Sequence, residues 1–280
     1  MAVKIVTDST SDIPQRVAAD LGITVIPLYV NFSGQSFQDG VDLNADQFYE
    51  KLVAASALPT TSTPSPDAFT QVYERLTQDG SEVLSIHVSS KLSATYNVAT
   101  LGKNKLPGCR VEIVDSGQVS MALGLQVIAA AKAARAGASA QEIRSLLKSV
   151  SQRSRLFGLL DTLEYLQKGG RIGKAQAFLG TLLQFKPLLG VRDGEVVPLE
   201  RLRTTGKAVR RLRPHLRPVL VTPTARRRTP VRAASAAPEP ARSRPTVSQR
   251  ASASTPARRP KGHASATAAT RGTAHWAASS

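Results

Sequence analysis

The chain has 280 residues, a net charge of +17 and one cysteine, Cys109, which excludes an internal disulfide framework. Of its four histidines only His87 precedes residue 215, which argues against a zinc site, and the absence of an 18-residue apolar run argues against a membrane span. Residues 211–280 hold 14 Lys and Arg against one acidic residue, whereas residues 1–210 hold 23 basic and 19 acidic residues and therefore carry only +4.

The first segments alternate between strand and helix patterns. Residues 3–7 form an apolar run that ends in the polar cluster 8–12. A second apolar run covers residues 23–30, where Pro27 predicts an edge strand or a break. A capped helix is predicted to follow through residues 46–53. This order is typical of an α/β chain.

A second helix is predicted to begin after the hydroxyl-rich loop of residues 60–66. Ser65 is a suitable N-cap and Pro66 suits the first helical position. The apolar residues then recur at the spacing of one helix face: Phe69, Val72, Tyr73 and Leu76.

The most informative stretch is Ser89–Asn97, here called the anchor turn. It follows a predicted strand over residues 82–88 and leads into a predicted helix over residues 93–103. Hydroxyls and free N–H groups at such a strand-to-helix turn favour a negatively charged oxygen pair. The loop of residues 60–66 repeats the pattern, so the two turns would form an anion clamp without a cation. Ordinary helix capping is the alternative interpretation.

Six further elements are predicted beyond the anchor turn. They are a strand over residues 111–114 ending in Asp115-Ser116, a buried Ala-rich helix over 121–135, an amphipathic helix over 139–150, a strand over 156–160, a helix over 175–183 and a hairpin around Asp193-Gly194. The alternation predicts a mostly parallel α/β sheet, with ligands at the carboxyl ends of its strands. Asp8, the anchor turn and Asp115 all occupy such ends.

The pattern divides the chain into three parts. Residues 1–155 are predicted to form an N-terminal α/β domain, and residues 156–212 an incomplete second α/β domain. Residues 213–280 are rich in Arg, Pro, Ala and Ser and contain nine of the 17 prolines, so a disordered basic tail is predicted.

No catalytic constellation stands out. His87 is the only candidate base for a hydrolase that uses Ser93, and its place in a strand favours a half-buried core histidine instead. Residues 169–174 lack the P-loop spacing. They would contact phosphate or an acidic partner, or they form an ordinary turn that leads into a helix. Asp8 and Asp115 are better explained as turn or cap residues than as metal ligands. This pattern favours a binding protein that is not an enzyme.

Five ordered motifs resemble the DegV family over about residues 1–210: residues 4–10, 59–66, 85–96 and 162–174, and the pair 186–187 with 193–198. The resemblance implies a bacterial, cytoplasmic and monomeric protein of two α/β domains that holds a long-chain fatty acid, such as palmitate, in a cleft between them. It implies no cofactor, no metal, no specific nucleic acid and no catalytic residue. The bound fatty acid would be presented to a separate ATP-binding fatty acid kinase subunit, which phosphorylates the carboxylate.

Motif position carries the family's binding residues onto this chain. Thr61 and Ser93 would hydrogen-bond the carboxylate, with the backbone N–H of Ala94 assisting, and Arg171 would lie on the surface near the kinase. Ala94 stands where the family usually has glycine, and Thr63 where glutamine is common.

The resemblance fades after about Arg210, where the family's remaining second-domain segments and its His-x-Gly-Pro-Gly motif are not found. Out-of-frame translation of a GC-rich gene would produce this composition. This hypothesis requires that a frame shift near codon 210 restores a family-like segment, which gene sequencing tests.

The alternative function is non-specific binding of nucleic acid or another polyanion through the tail. Its basic clusters, Arg226–Arg228 and Arg258–Lys261, would neutralise phosphates. Trp276 is the single aromatic residue there, so no stacking platform is available and binding would weaken steeply with salt.

Overall fold

The computed structural model describes residues 2–179, 185–207 and 210–212, to which every structural statement below refers. Its strands are β1 (Val3–Asp8), β2 (Thr24–Ile26), β3 (Tyr29–Phe32), β4 (Gln35–Gln38), β5 (Thr60–Ser62), β6 (Glu82–His87), β7 (Val111–Asp115), β8 (Phe157–Leu159), β9 (Lys186–Arg192) and β10 (Glu195–Leu202). Its helices are α1 (Gln15–Leu21), α2 (Ala45–Ala54), α3 (Pro66–Thr77), α4 (Thr95–Asn104), α5 (Ser120–Arg135), α6 (Ala140–Arg153) and α7 (Glu164–Lys168), with 3-10 turns at Ser9–Ser11 and Gly173–Phe178. Residues 205–207 and 210–212 are also helical.

The central sheet has the strand order β2-β1-β6-β7, and each neighbouring pair in it is parallel. This confirms the predicted α/β class with a parallel sheet. Asp8, His87 and Asp115 are the last residues of β1, β6 and β7, and His87 lies directly opposite Asp115. The polar clusters predicted at strand ends therefore share one edge of the sheet.

Two smaller sheets are antiparallel, in the orders β4-β3-β5 and β10-β9-β8. The hairpin predicted around Asp193-Gly194 is confirmed, and both turn residues adopt positive φ, 51° and 80°. The run of residues 23–30 breaks after β2, as Pro27 predicted, and resumes as β3 in the first small sheet. Residues 60–62 were expected in a loop but form β5, because they pair with β3.

Helix α3 confirms the clearest local prediction. The Ser65 hydroxyl accepts a hydrogen bond from the Ala68 N–H at 3.2 Å, and Phe69 and Tyr73 are fully buried. Helix α3 meets α4 at Gly102, where an added Cβ would lie 2.6 Å from the Pro66 carbonyl oxygen and 2.7 Å from the Phe69 Cβ. The crossing therefore requires glycine.

Replacing Gly102 with alanine should lower the free energy of unfolding by about 1–3 kcal/mol, because the methyl group meets backbone that cannot move aside without shifting a helix. Gly206 provides the matched control: it is also helical, but no heavy atom lies within 4 Å of its added Cβ. Gly206→Ala should stabilise the protein by about 0.5–1 kcal/mol. Urea unfolding of both variants checks the pair, and a similar change in both would contradict this account of the crossing.

Two predicted helices differ in detail. Helix α5 was expected to be buried almost all round, but Met121 and Leu125 are 37% and 53% exposed, because one face remains outside its contacts with β1, β6 and α6. The helix predicted over residues 175–183 is instead a 3-10 turn, Gly173–Phe178, and residues 180–184 lie outside the described part of the chain. Gly173 begins that turn with a φ of 51°, and an added Cβ there would lie 2.7 Å from the Val196 carbonyl oxygen.

The two predicted domains share an apolar core. One buried cluster joins Val88, Leu92 and Val119 to Leu166, Leu189 and Val196 across the proposed boundary at residue 155. The predicted disordered tail, residues 213–280, lies outside the described residues. Among the helices that the structure describes, none combines the length and apolarity needed to cross a membrane.

Candidate functional site

The anchor turn lies at a topological switch point of the parallel sheet. The connection from β1 leads to β2 on one side, whereas the connection from β6 leads through α4 to β7 on the other. Such divergence opens a crevice at the carboxyl ends of the two central strands, where open α/β sheets bind ligands. Ser89–Asn97 follows β6 directly into this crevice.

The backbone of the anchor turn is held from two sides. The Ser89 carbonyl oxygen accepts hydrogen bonds from the N–H groups of Leu92 and Ser93, at 2.9 and 3.1 Å. The hydroxyl and N–H of Ser90 donate to Asp115 Oδ2, at 2.6 and 3.3 Å. Asp115 is thus a turn-holding residue, as its strand-end position predicted. Among the described residues, no group of three or more His, Cys, Asp and Glu is arranged to hold a metal.

Two of the three groups predicted to bind a carboxylate, Ser93 and the Ala94 N–H, lie directly before α4. Ser93 is half-buried, its Oγ lies 2.9 Å from Thr95 Oγ1, and it accepts a hydrogen bond from the Thr95 N–H at 3.3 Å. Ala94 is exposed and helical, with φ −72° and ψ −4°, so alanine in place of the usual glycine adds no backbone strain. Its N–H has no hydrogen-bond partner among the described residues.

Thr61 lies in the small antiparallel sheet β4-β3-β5 and not in the central sheet. It pairs with Val30 across β5 and β3, and it is half-buried. Helix α3 begins five residues later, and its Phe69 ring lies 5.4 Å from the His87 ring at the end of β6. Within the described residues no hydrogen bond joins Thr61 to Ser93. That Thr61 and Ser93 bind one ligand together stays a prediction.

A buried hydrogen-bonded chain lies beneath the anchor turn. His87 Nδ1 is 2.9 Å from Asp8 Oδ2, His87 Nε2 is 2.7 Å from Ser85 Oγ, and Ser85 Oγ is 2.8 Å from the Tyr73 hydroxyl. All four side chains are fully buried. Burial raises the pKa of the Tyr73 phenol, while its hydrogen bond with Ser85 acts in the opposite direction.

This network corrects the expectations for His87 and Asp8. His87 is fully buried rather than half-buried, and its Nε2 lies against Ser85 Oγ, so the base that the hydrolase interpretation assigned to Ser93 is bonded to another residue. Asp8 does cap the following turn through the Thr10 N–H, but it also accepts hydrogen bonds from His87 and the Val88 N–H, at 2.9 and 3.1 Å. Ser85 and His87, two residues apart on one strand face, were the only sequence signal of the network.

The segment of residues 169–174 meets the anchor turn directly. Arg171 Nε donates to the Leu92 carbonyl oxygen at 3.1 Å, and Arg171 NH1 donates to the Gly169 carbonyl oxygen at 2.7 Å. Arg171 is therefore half-buried against the turn rather than fully at the surface, and burial lowers the pKa of its guanidinium. Lys174 finds its acidic partner within the same chain, at 3.1 Å from Glu195.

Comparison with known proteins supports the motif resemblance. The family model described as "Uncharacterised protein, DegV family COG1307" matches residues 2–235, further than the motifs reach. A DegV domain-containing protein of Deinococcus radiodurans is 46% identical over 78% of this chain and 77% of the relative. One of Streptomyces coelicolor is 37% identical over 75% of this chain and 74% of the relative.

Solved structures share the fold. A Thermus thermophilus protein described as a fatty-acid-binding DegV family protein aligns with a TM-score of 0.74 at 38% identity, covering 79% of each chain. DegV of Bacillus subtilis, described as a fatty acid binding protein, aligns with a TM-score of 0.71 at 33% identity over 77% of each chain. A stearic acid-binding protein of Eubacterium ventriosum has a TM-score of 0.72 at 27% identity and covers 78% of this chain and 76% of its own.

Proposed function

This chain belongs to the DegV family, and from that premise we propose that it binds a long-chain fatty acid and presents the carboxylate to a separate fatty acid kinase subunit. Support for the ligand comes from the relatives of Thermus thermophilus, Bacillus subtilis and Eubacterium ventriosum, which are described as fatty-acid-binding proteins. Support for the head-group site comes from this chain's own donors.

The observation that carries the proposal is the set of neutral donors at the start of α4. Ser93 and Thr95 form a hydroxyl pair, the Ala94 N–H is free among the described residues, and the first turn of α4 adds the positive end of its dipole. In this proposal Ser93 and Thr61 donate to the two carboxylate oxygens, and the Ala94 N–H assists Ser93. No formal cation is required, because N–H and O–H donors suffice for a carboxylate.

The acyl chain supplies the affinity and the hydroxyls supply the orientation. Burying ~15 methylene groups at about 0.8 kcal/mol each gives a gross ~12 kcal/mol, from which association and ordering costs remove a large part. A charge-assisted hydrogen bond adds about 1.5–3 kcal/mol at most. A short acid would lack most of that gross contribution, so the proposed ligand has a long apolar tail and one carboxylate.

The same neutral donors suit a subsequent phosphoryl transfer. An arginine pair would withdraw charge from the carboxylate oxygens, whereas two hydroxyls hold them and leave them nucleophilic towards ATP. In the proposed division of labour, the kinase subunit supplies ATP binding and catalysis, and this chain supplies an oriented substrate. Arg171 is proposed to contribute to the kinase-facing side from its half-buried position.

Native mass spectrometry of the full chain tests ligand binding. After incubation with palmitate we expect one bound fatty acid per chain. Methyl palmitate is the matched control: it keeps the tail but lacks the charge, so it should bind about tenfold more weakly. A complex with neither ligand, or equal binding of the acid and its ester, would contradict the proposed carboxylate site.

A further inference from the structure

The described residues after 155, here called the second unit, reach the anchor turn through the tip of the β9–β10 hairpin. The Ser89 hydroxyl donates to the Gly194 carbonyl oxygen at 2.8 Å, and Ser89 is only 1% exposed. The same residue closes the anchor turn, because its carbonyl oxygen accepts from the N–H groups of Leu92 and Ser93. Ser89 thus belongs both to the turn and to the contact with the hairpin.

Gly194 is required at this contact for two independent reasons. Its φ of 80° is a conformation that side chains disfavour, and an added Cβ would lie 2.5 Å from Ser89 Oγ. The hairpin tip can approach the turn this closely only with glycine at its second position. At this contact the backbone of the hairpin tip therefore lies directly against the Ser89 side chain.

Charged groups surround that contact. Glu195 lies 3.5 Å from Lys91 on the anchor turn and 3.1 Å from Lys174 on the second unit. The hydrogen bond and charge of Lys174, with the charge of Lys91, lower the pKa of the Glu195 carboxyl. Arg171 adds a hydrogen bond to the Leu92 carbonyl oxygen at 3.1 Å. The second unit thus contacts the anchor turn at residues 89, 91 and 92, through two hydrogen bonds and one ion pair.

These contacts lie immediately before two of the proposed carboxylate donors, Ser93 and the Ala94 N–H. Leu92 is buried in the apolar core that also contains Val196 of β10 and Ile172 of the second unit. Ser93 follows Leu92 directly, and its N–H is bonded to the Ser89 carbonyl oxygen at 3.1 Å. A displacement of the hairpin tip would therefore change the position of the Ser93 hydroxyl and the Ala94 N–H.

We infer that the hairpin tip, Asp193–Glu195, is a latch that holds the anchor turn in its carboxylate-binding conformation. This inference rests on the proposed function and deepens it. Ser89 and Gly194 are positioning residues, because they act on the ligand through Ser93. Since a ligand that binds one state favours that state, fatty acid binding and latching reinforce each other by linkage.

The latch is tested by comparing the palmitate affinity of Gly194→Ala with that of the control variant Gly80→Ala. Gly80 has nearly the same φ, 78°, but nothing lies within 4 Å of its added Cβ, so the control carries the backbone strain without the clash. We expect palmitate affinity to fall at least about tenfold in Gly194→Ala, and to remain within about threefold of wild type in Gly80→Ala. Equal affinities in the two variants would overturn the latch.

A rescue variant separates positioning from simple loss of stability. Ser89→Ala removes the hydroxyl that the added methyl group would meet. The double variant Ser89→Ala/Gly194→Ala should therefore bind palmitate more tightly than Gly194→Ala alone, and approach the affinity of Ser89→Ala. Additive losses in the double variant would contradict the contact on which the latch depends.

Amide hydrogen exchange without ligand distinguishes failure of the latch from failure of the proposed function. Exchange at residues 90–93 should be faster in Gly194→Ala than in Gly80→Ala, whether or not the protein binds a fatty acid. Absence of palmitate binding in wild type would count against the proposed function alone. Unchanged exchange in Gly194→Ala would overturn the latch alone.

Discussion

Asp8→Ala should lower the free energy of unfolding by about 3–5 kcal/mol, because it leaves several buried donors without an acceptor. Asp8 Oδ2 accepts hydrogen bonds from His87 Nδ1 and the Val88 N–H, at 2.9 and 3.1 Å. Asp8 Oδ1 accepts from the N–H and hydroxyl of Thr10, at 3.1 and 2.5 Å. Water cannot replace the carboxylate without opening the edge of the sheet, since Asp8 and His87 are fully buried.

Two further variants make this prediction specific. Asp8→Asn keeps one acceptor oxygen but places an NH₂ group against either His87 and Val88 or Thr10, so it should destabilise the protein less than alanine does. Asp67→Ala removes an exposed carboxylate that pairs with Lys105, and its effect on stability should be small. Chemical unfolding measures all three. A stability loss in Asp8→Ala no larger than that in Asp67→Ala would contradict the network's role.

Ser93→Ala should reduce fatty acid affinity modestly and phosphoryl transfer much more. Loss of one charge-assisted hydrogen bond weakens binding by about tenfold, because the acyl chain supplies most of the affinity. Transfer should fall about a hundredfold, since the carboxylate oxygen is no longer oriented towards ATP. Affinity is measured by titration with palmitate, and transfer by formation of acyl phosphate with the kinase subunit and ATP.

Ser145→Ala is the control for Ser93. Its hydroxyl lies on the exposed face of α6 and donates to the Gln141 carbonyl oxygen at 3.1 Å, outside the anchor turn. We expect Ser145→Ala to support phosphoryl transfer within about threefold of wild type. Equal turnover by Ser93→Ala and wild type would contradict the orienting role of the Ser93 hydroxyl.

Elements specified by neighbouring residues were predictable from the sequence. Ser65 and Pro66 mark the start of α3 by themselves, and Asp193-Gly194 marks its hairpin, because caps and turns depend on a few adjacent residues. Strand β5 was not predictable, since residues 60–62 become a strand only by pairing with β3, about 30 residues earlier in the chain.

The positions of Ser93 and Ala94 in the fold were predictable, but the tertiary contacts around them were not. Motif resemblance identified Ser93 and Ala94, and the structure places both at the start of α4 as the turn pattern indicated. The buried chain from Asp8 to Tyr73 joins residues 65 positions apart, and the contact of Ser89 with Gly194 joins residues 105 positions apart. Contacts between residues so far apart depend on how the elements pack together, and a local sequence pattern does not predict them.

A crystal structure of the protein with palmitate tests the central claim most directly, because it locates the head group relative to each proposed donor. We predict one carboxylate oxygen at about 3 Å from Ser93 Oγ and the other at about 3 Å from Thr61 Oγ1, with the acyl chain buried. A head group that contacts neither hydroxyl would contradict the account.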